Sequence, residues 1–271
     1  MNYSSISEKI LIPVPNKKRL QMFAFSLVVT AIVILVKFGL HELRWEPVAF
    51  NSLYTAIFTG SFFVLGFILS ATMNDYKESE RLPSEFSAII ENMYEDAIAI
   101  HMNYPEFDLD GFSDQLKRIL SSMKEDLVSV NRESHNEVHG LSAFFAQMEK
   151  QGVPPNFITK LKQEQGQLIR FLFRAYYIQS IQFIPSSMVL AYGILANAVG
   201  LLMLTDFERL SSSIWIIGGI TFIMVYVIKL IRTIRTPFHK SGATQDDVSM
   251  FLIDRAIGHI DKATNRNKIS D

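Results

Sequence analysis

The sequence predicts an all-α membrane protein: four transmembrane helices, a helical cytoplasmic insert between the second and third, and assembly as a symmetric oligomer. Two observations predict the chain fold. Of 271 residues, 49% are hydrophobic, too apolar for an ordinary soluble domain, yet 20% are charged, so substantial parts lie in water. The apolar residues fall in four long, nearly charge-free runs, separated by a polar stretch with helical periodicity. The net charge of −1 argues against a nucleic-acid binder, which needs a basic surface, and the lack of cysteine excludes disulfides, thiol chemistry and thiolate metal sites.

Residues 1–19 form a cytoplasmic N-terminal segment; with Pro13, Pro15 and no apolar run, no cleavable signal peptide is expected. The first span is residues 20–40, with "FAFSLVVTAIVILV" at its centre and Lys37 expected to snorkel outward. The second is residues 53–73, which at about 1.5 Å per residue crosses a hydrocarbon core of roughly 30 Å. A third run, residues 181–205, has no charge before Asp206, and a fourth, residues 213–232, meets Lys229 near its far end. Residues 233–271 remain as a cytoplasmic C-terminal tail.

Flanking cations orient these spans. Lys17, Lys18 and Arg19 precede the first, Lys77 and Arg81 follow the second, Arg170 and Arg174 precede the third, and Lys229, Arg232, Arg235 and Lys240 trail the fourth. The two opposite loops offer Lys37, Arg44 and Arg209. Both termini and residues 74–180 are therefore expected in the cytoplasm of a multi-pass protein of a plasma or bacterial inner membrane.

Residues 74–180 read as helices. Pro83 and Ser84 are expected to open a segment with Phe86, Ile89, Ile90, Met93 and Ala97 at helical spacing. Phe112, Leu116, Ile119, Leu120, Met123 and Leu127 repeat the pattern, and a third piece carries Val138, Leu141, Phe144, Phe145 and Met148 up to Gly152. Asn156 is expected to cap a long helix with Ile158, Leu161, Leu168, Leu172 and Phe173, leading into the third span. Such stripes build a bundle core by default. No strand alternation or internal repeat competes.

Little here points to catalysis. "HNEVH" sets His135 and His139 four apart, but not in HExxH order, and a zinc ion wants a third ligand; a solvated polar face explains the pair more simply. There is no GxGxxG, phosphate loop or nucleophile signature, so no enzyme is expected.

The second span is unusual in carrying Gly60, Ser61, Gly66, Ser70 and Thr72, which lipid does not need. Helical spacing puts Thr59, Phe63, Phe67, Ser70 and Asn74 on one stripe, aromatic in the middle and polar at both ends. One such stripe encloses nothing alone. Several copies about an axis would line a narrow apolar neck that gates by dewetting. Packing of Phe63 and Phe67 against neighbouring spans is the alternative. Just beyond, Asp75, Glu78 and Glu80 would ring a cytoplasmic mouth, offset by Lys77 and Arg81.

Three stretches carry a family resemblance. "SFFVLGF" followed by "NDYKESERLP" resembles the second span of the bestrophins, and "KLIRTIRTPFHKSGATQDDVSMFLIDRA" resembles the segment in which an Asn-Pro-Phe turn precedes an acidic cluster and an Ile-Val-Asp-Arg helix. "FIPSSMVLAY" is a looser match to the entry of the third span. The resemblance implies a pentameric, bestrophin-like ion channel with a hydrophobic neck, its neck residues falling on Thr59, Phe63 and Phe67. Thr59 stands where an aliphatic residue is usual, so the outer neck would be more hydrated. The resemblance also raises calcium as a cofactor, but of the acidic run only Asp246 and Asp247 remain, and two carboxylates need further oxygens to complete a calcium shell. A solvated acidic pair is the alternative.

The implied partners are further copies of the chain, the bilayer and inorganic ions. The aromatic edges of the neck favour chloride; a carboxylate collar would favour cations. A non-conducting, membrane-anchored sensor or scaffold explains the insert equally well, but not Gln182 and Asn197 in the third span, since polar groups there are costly unless they face protein or water.

Overall fold

The computed structural model describes residues 17–49, 51–129, 132–180, 185–207, 210–238 and 248–270. Among the described residues the chain is all helical apart from one short strand pairing, and it divides into two compact units.

The first unit comprises the chain to Ser70 together with Ser186–Thr233. It contains α1 (Lys17–Glu42), the first part of α2 (Ser52–Asn103), α6 (Pro185–Leu204) and α7 (Leu210–Ile234). All four are long and apolar enough to cross a membrane. Tyr54, Phe58, Leu65 and Ile68 of α2 pack in one core with Ala191, Ala198 and Leu202 of α6 and Ile217, Met224 and Ile228 of α7. A Cβ built on Gly218 of α7 would lie 3.2 Å from Ile34 Cδ1, so glycine here lets α1 and α7 approach closely.

Two features of this unit differ from the sequence expectation. Lys37 does not snorkel outward. It is 1% exposed, pairs with Glu46 at 2.7 Å, and donates hydrogen bonds to the carbonyls of Met203 at 3.1 Å and Leu202 at 3.3 Å, as well as to Thr205. A cation thus closes the C-terminal end of α6, where unpaired carbonyls concentrate negative potential. Burial pushes the Glu46 carboxyl up, but the hydrogen bonds from Lys37 and His41 outweigh it and hold Glu46 below the usual glutamate range. Beside this cluster, β1 (Val48–Ala49) pairs parallel with β2 (Thr205–Asp206), Val48 opposite Thr205. Strands this short leave no alternation to read.

The second unit comprises Ala71–Pro185 and the chain from Ile234 onward. The rest of α2 packs with α3 (Leu109–Ser129), α4 (Glu133–Lys150), α5 (Pro155–Ser180) and α8 (Phe251–Ser270) around one core. The predicted stripes of α2, α3 and α4 are its contents, Phe144 being only partly buried. On α5, Phe173 is the exception: it is 58% exposed and sits edge-on to His135 at 5.5 Å.

Three local expectations are corrected. Pro83 opens no new segment but lies buried inside the continuous α2. An interior proline costs about 3 kcal/mol or more, and the burial of Leu82, Phe86, Ile89 and Ile90 around it offsets that cost. Helix α5 begins at Pro155, the residue type suited to a first helical position, so Asn156 is inside the first turn rather than capping it. The last described segment is no separate tail: Ile253, Ala256 and Ile260 of α8 belong to the core, and Lys117 and Lys124 of α3 pair with Asp261 and Asp254 at 2.9 and 2.5 Å.

Helix α4 has no cap of its own. Arg132 before it is left-handed (φ 61°) and makes no side-chain cap. The buried Asp126 of α3 substitutes, accepting hydrogen bonds from the backbone N–H of Ser134 at 2.9 Å and Glu133 at 3.1 Å, from the Ser134 hydroxyl, and from the Tyr176 hydroxyl at 3.0 Å. Gln179 of α5 donates to the carbonyls of Asp126 and Leu127 at 2.9 and 2.7 Å. Burial of the Tyr176 phenol pushes it up to about 12, so it stays a donor throughout the physiological range.

Candidate functional site

Helix α2 has two contrasting faces over its apolar part. Tyr54, Phe58, Leu65 and Ile68 point into the chain and are buried. Thr59, Phe63, Phe67, Ser70 and Asn74 are all exposed, Phe63 at 75% and Phe67 at 69%. A Cβ added at Gly60 or Gly66 meets nothing within 4 Å, so these glycines leave open backbone on the helix instead of serving contacts within the chain. The face therefore combines large aromatics with hydroxyls, an amide and bare backbone, a poor match to lipid alone.

The acids that follow are placed differently from one another. Glu80 is exposed, while Asp75 and Glu78 are half-buried. Glu78 receives a bidentate pair from Arg174 of α5, with Nε donating to Oε1 at 2.6 Å and Nη2 to Oε2. Such a fork is geometrically specific and fixes the Glu78 carboxylate within its own subunit. The Arg174 guanidinium also lies over the Tyr177 ring at 5.1 Å, and its pairing with Glu78 raises it above the ordinary arginine value. From the sequence, Arg174 is only a flanking charge that orients the third span. The available signal was that Glu78 closely follows one span while Arg174 shortly precedes another.

Asp246 and Asp247 fall outside the described residues. His135 and His139 meet edge-to-face at 4.6 Å, and among the described residues no group of three His, Cys, Asp or Glu side chains is arranged to hold a metal.

Four apolar helices with a separate helical core define an all-α integral membrane protein. No family profile and no curated protein matches the sequence. Solved structures do match the fold. A variant of the bacterial bestrophin homolog from Klebsiella pneumoniae superposes with a TM-score of 0.72 at 11% identity, covering 90% of this chain and 98% of that one. A second variant of the same homolog gives 0.69 at 11% identity, covering 89% and 98%. A structure described as a membrane protein gives 0.70 at 10% identity, covering 90% and 98%. The chain has the bestrophin-like fold, over nearly its full length.

Proposed function

We propose that this protein is a bestrophin-like ion channel, not an enzyme, in which copies of the chain, five by analogy with the family, surround a pore lined by Thr59, Phe63, Phe67, Ser70 and Asn74. The observation that carries this reading is the exposure of Phe63 and Phe67 on a face bordered by polar side chains. A ring of such faces makes a narrow apolar neck between hydrated ends. Both termini and the helical unit lie on the cytoplasmic side, as the flanking cations require.

Anions are the favoured ions. The neck carries no formal charge and presents aromatic edges. Of the acids beyond it, Glu78 is already neutralised by Arg174, Lys77 opposes Asp75 and Glu80, and Arg81 is paired with Glu85. The collar that would select cations is therefore weak.

Currents across planar bilayers, together with native mass spectrometry, test the reading. Expected results are a pentameric mass, a reversal potential that follows the chloride gradient, and higher basal flux in the Phe63→Ala/Phe67→Ala double variant. A monomer or dimer, or a correctly assembled double variant conducting no more than wild type, would overturn the neck. A reversal potential following the cation gradient would replace the anion assignment with cation conduction.

A further inference from the structure

A groove on the helical unit carries one more arginine than its glutamates neutralise. We infer that it binds a short-chain organic monocarboxylate from solution, with the Arg170 guanidinium as the anchor. The groove lies between α2 and α5 and has a volume of about 370 Å³, enough for a small organic acid. Helical spacing builds both walls. Gln167, Arg170, Phe171 and Arg174 fall on one stripe of α5, and Glu78, Arg81, Leu82 and Glu85 on one stripe of α2.

Charge selects a monoanion. Glu78 takes the fork of Arg174, and Glu85 pairs with Arg81 at 2.7 Å. Those pairs cancel. Arg170 is exposed, and among the described residues no acceptor is bonded to it or to the Gln167 amide. The groove therefore keeps one positive charge, and a second negative charge on a ligand would face the Glu78 and Glu85 carboxylates.

Shape selects a carboxylate. A guanidinium fork matches its two coplanar oxygens, whereas a halide offers a single point. The Gln167 amide and the Nη1 of Arg174, which Glu78 leaves unused, supply further donors. Arg174 is already held by Glu78 and by the Tyr177 ring, so little ordering is needed when it donates. Phe171, partly buried against the core, gives a short alkyl chain an apolar side to rest on.

Distance selects the source. Along α2, Arg81 lies about 12 Å and Glu85 about 18 Å beyond Met73, the last residue of the charge-free run. The headgroup layer occupies about 5–8 Å on each side of the hydrocarbon core, so the groove meets solutes and not lipid. The inference rests on the membrane placement proposed above but not on conduction.

The test is saturation-transfer NMR of butyrate with the purified full-length protein in detergent, with empty micelles as the blank. Butyrate should bind saturably. Chloride or sulfate should need about tenfold higher concentration than acetate to displace it, the ratio expected from one charge-assisted hydrogen bond. Arg170→Gln should weaken butyrate about tenfold by the same reasoning, and Arg170→Lys, which keeps the charge but loses the fork, should recover only part of that. No saturable binding to wild type overturns the inference, whether or not the variants fold. So does displacement by chloride or sulfate at the same concentration as acetate, and so does an Arg170→Gln protein of normal melting temperature with unchanged affinity. Butyrate binding without current would sink the channel alone, and current without butyrate binding would sink this site alone.

Discussion

In the helical unit Phe86, Ile90, Met93 and Phe112 are 0% exposed, whereas only 17% of the α1 span and 33% of the α7 span is buried within the chain. One unit completes its core inside a single chain, because water drives every apolar stripe inward. The other leaves most of its apolar surface open, because lipid and neighbouring copies can cover it without a hydrophobic cost. Polar groups follow the same division. The helical unit buries hydrogen-bonded networks such as Asp126, Ser134 and Tyr176; in the spanning unit a salt bridge, Lys37 to Glu46, closes a helix end.

Four substitutions break or sharpen this contrast. The largest effect is expected for Lys37→Met, which leaves the buried Glu46 carboxylate with His41 alone beside unpaired α6 carbonyls and should cost about 3–5 kcal/mol, read as a lower melting temperature in detergent. Adding Glu46→Gln should recover much of the loss; no recovery would mean that packing, not charge, holds the site. Asp126→Ala removes the borrowed cap of α4 and leaves the backbone N–H groups of Glu133 and Ser134 without their acceptor, although the Ser134 and Tyr176 hydroxyls can still bond each other, at an expected cost of roughly 2–3 kcal/mol. Asp126→Asn should cost less, since the amide oxygen still accepts.

The third substitution concerns pH. Glu164 of α5 is 8% exposed, and burial, reinforced by the nearby Asp96 carboxylate, pushes it up to about 7, although Lys160 acts against the shift. Its folded form therefore holds a proton that the unfolded form releases near pH 4.5. Stability conferred by that proton is complete below this value, falls as pH rises towards 7, and is gone above it. At about 1.4 kcal/mol per pKa unit, Glu164→Gln should stabilise by roughly 1–3 kcal/mol at pH 8 and by little at pH 4.5. Equal melting temperatures for both proteins at pH 8 would reject the shift. The smallest change in stability belongs to Phe63→Ala or Phe67→Ala. Both rings are exposed in the single chain, so a cost well under the roughly 3–5 kcal/mol of a packed phenylalanine is expected. A full-sized loss would show that the rings are packed between subunits.

Periodicity carried most of the fold. The stripes of α2, α3 and α4 could be read because each repeats at the helical interval and has nowhere else to go in water. Pro83 could not, since its cost is offset only by the burial of its neighbours Leu82, Phe86, Ile89 and Ile90 in a core that other helices complete. Nor could Lys37, whose partners are carbonyls far along the chain and a glutamate beyond the left-handed Arg44 (φ 54°). At the candidate site, spacing put Thr59, Phe63, Phe67, Ser70 and Asn74 on one stripe of α2 but left open whether that stripe packs against other spans. The pairing of Glu78 with Arg174 did not, because it joins residues on two helices separated by most of the helical unit's sequence.

The borrowed cap of α4 has a consequence for synthesis. A helix of 18 residues with no acceptor of its own for its first N–H groups is a poor nucleus, because nucleation is costly and most helical stability in proteins comes from tertiary packing. Asp126 emerges from the ribosome before α4, but Tyr176 and Gln179 come only at the far end of α5. Helix α4 must therefore wait for chain made after it, so α3, α4 and α5 should mature as one cooperative step. A peptide of residues 133–150 should show little helical circular dichroism, and one of residues 109–180 should show cooperative melting.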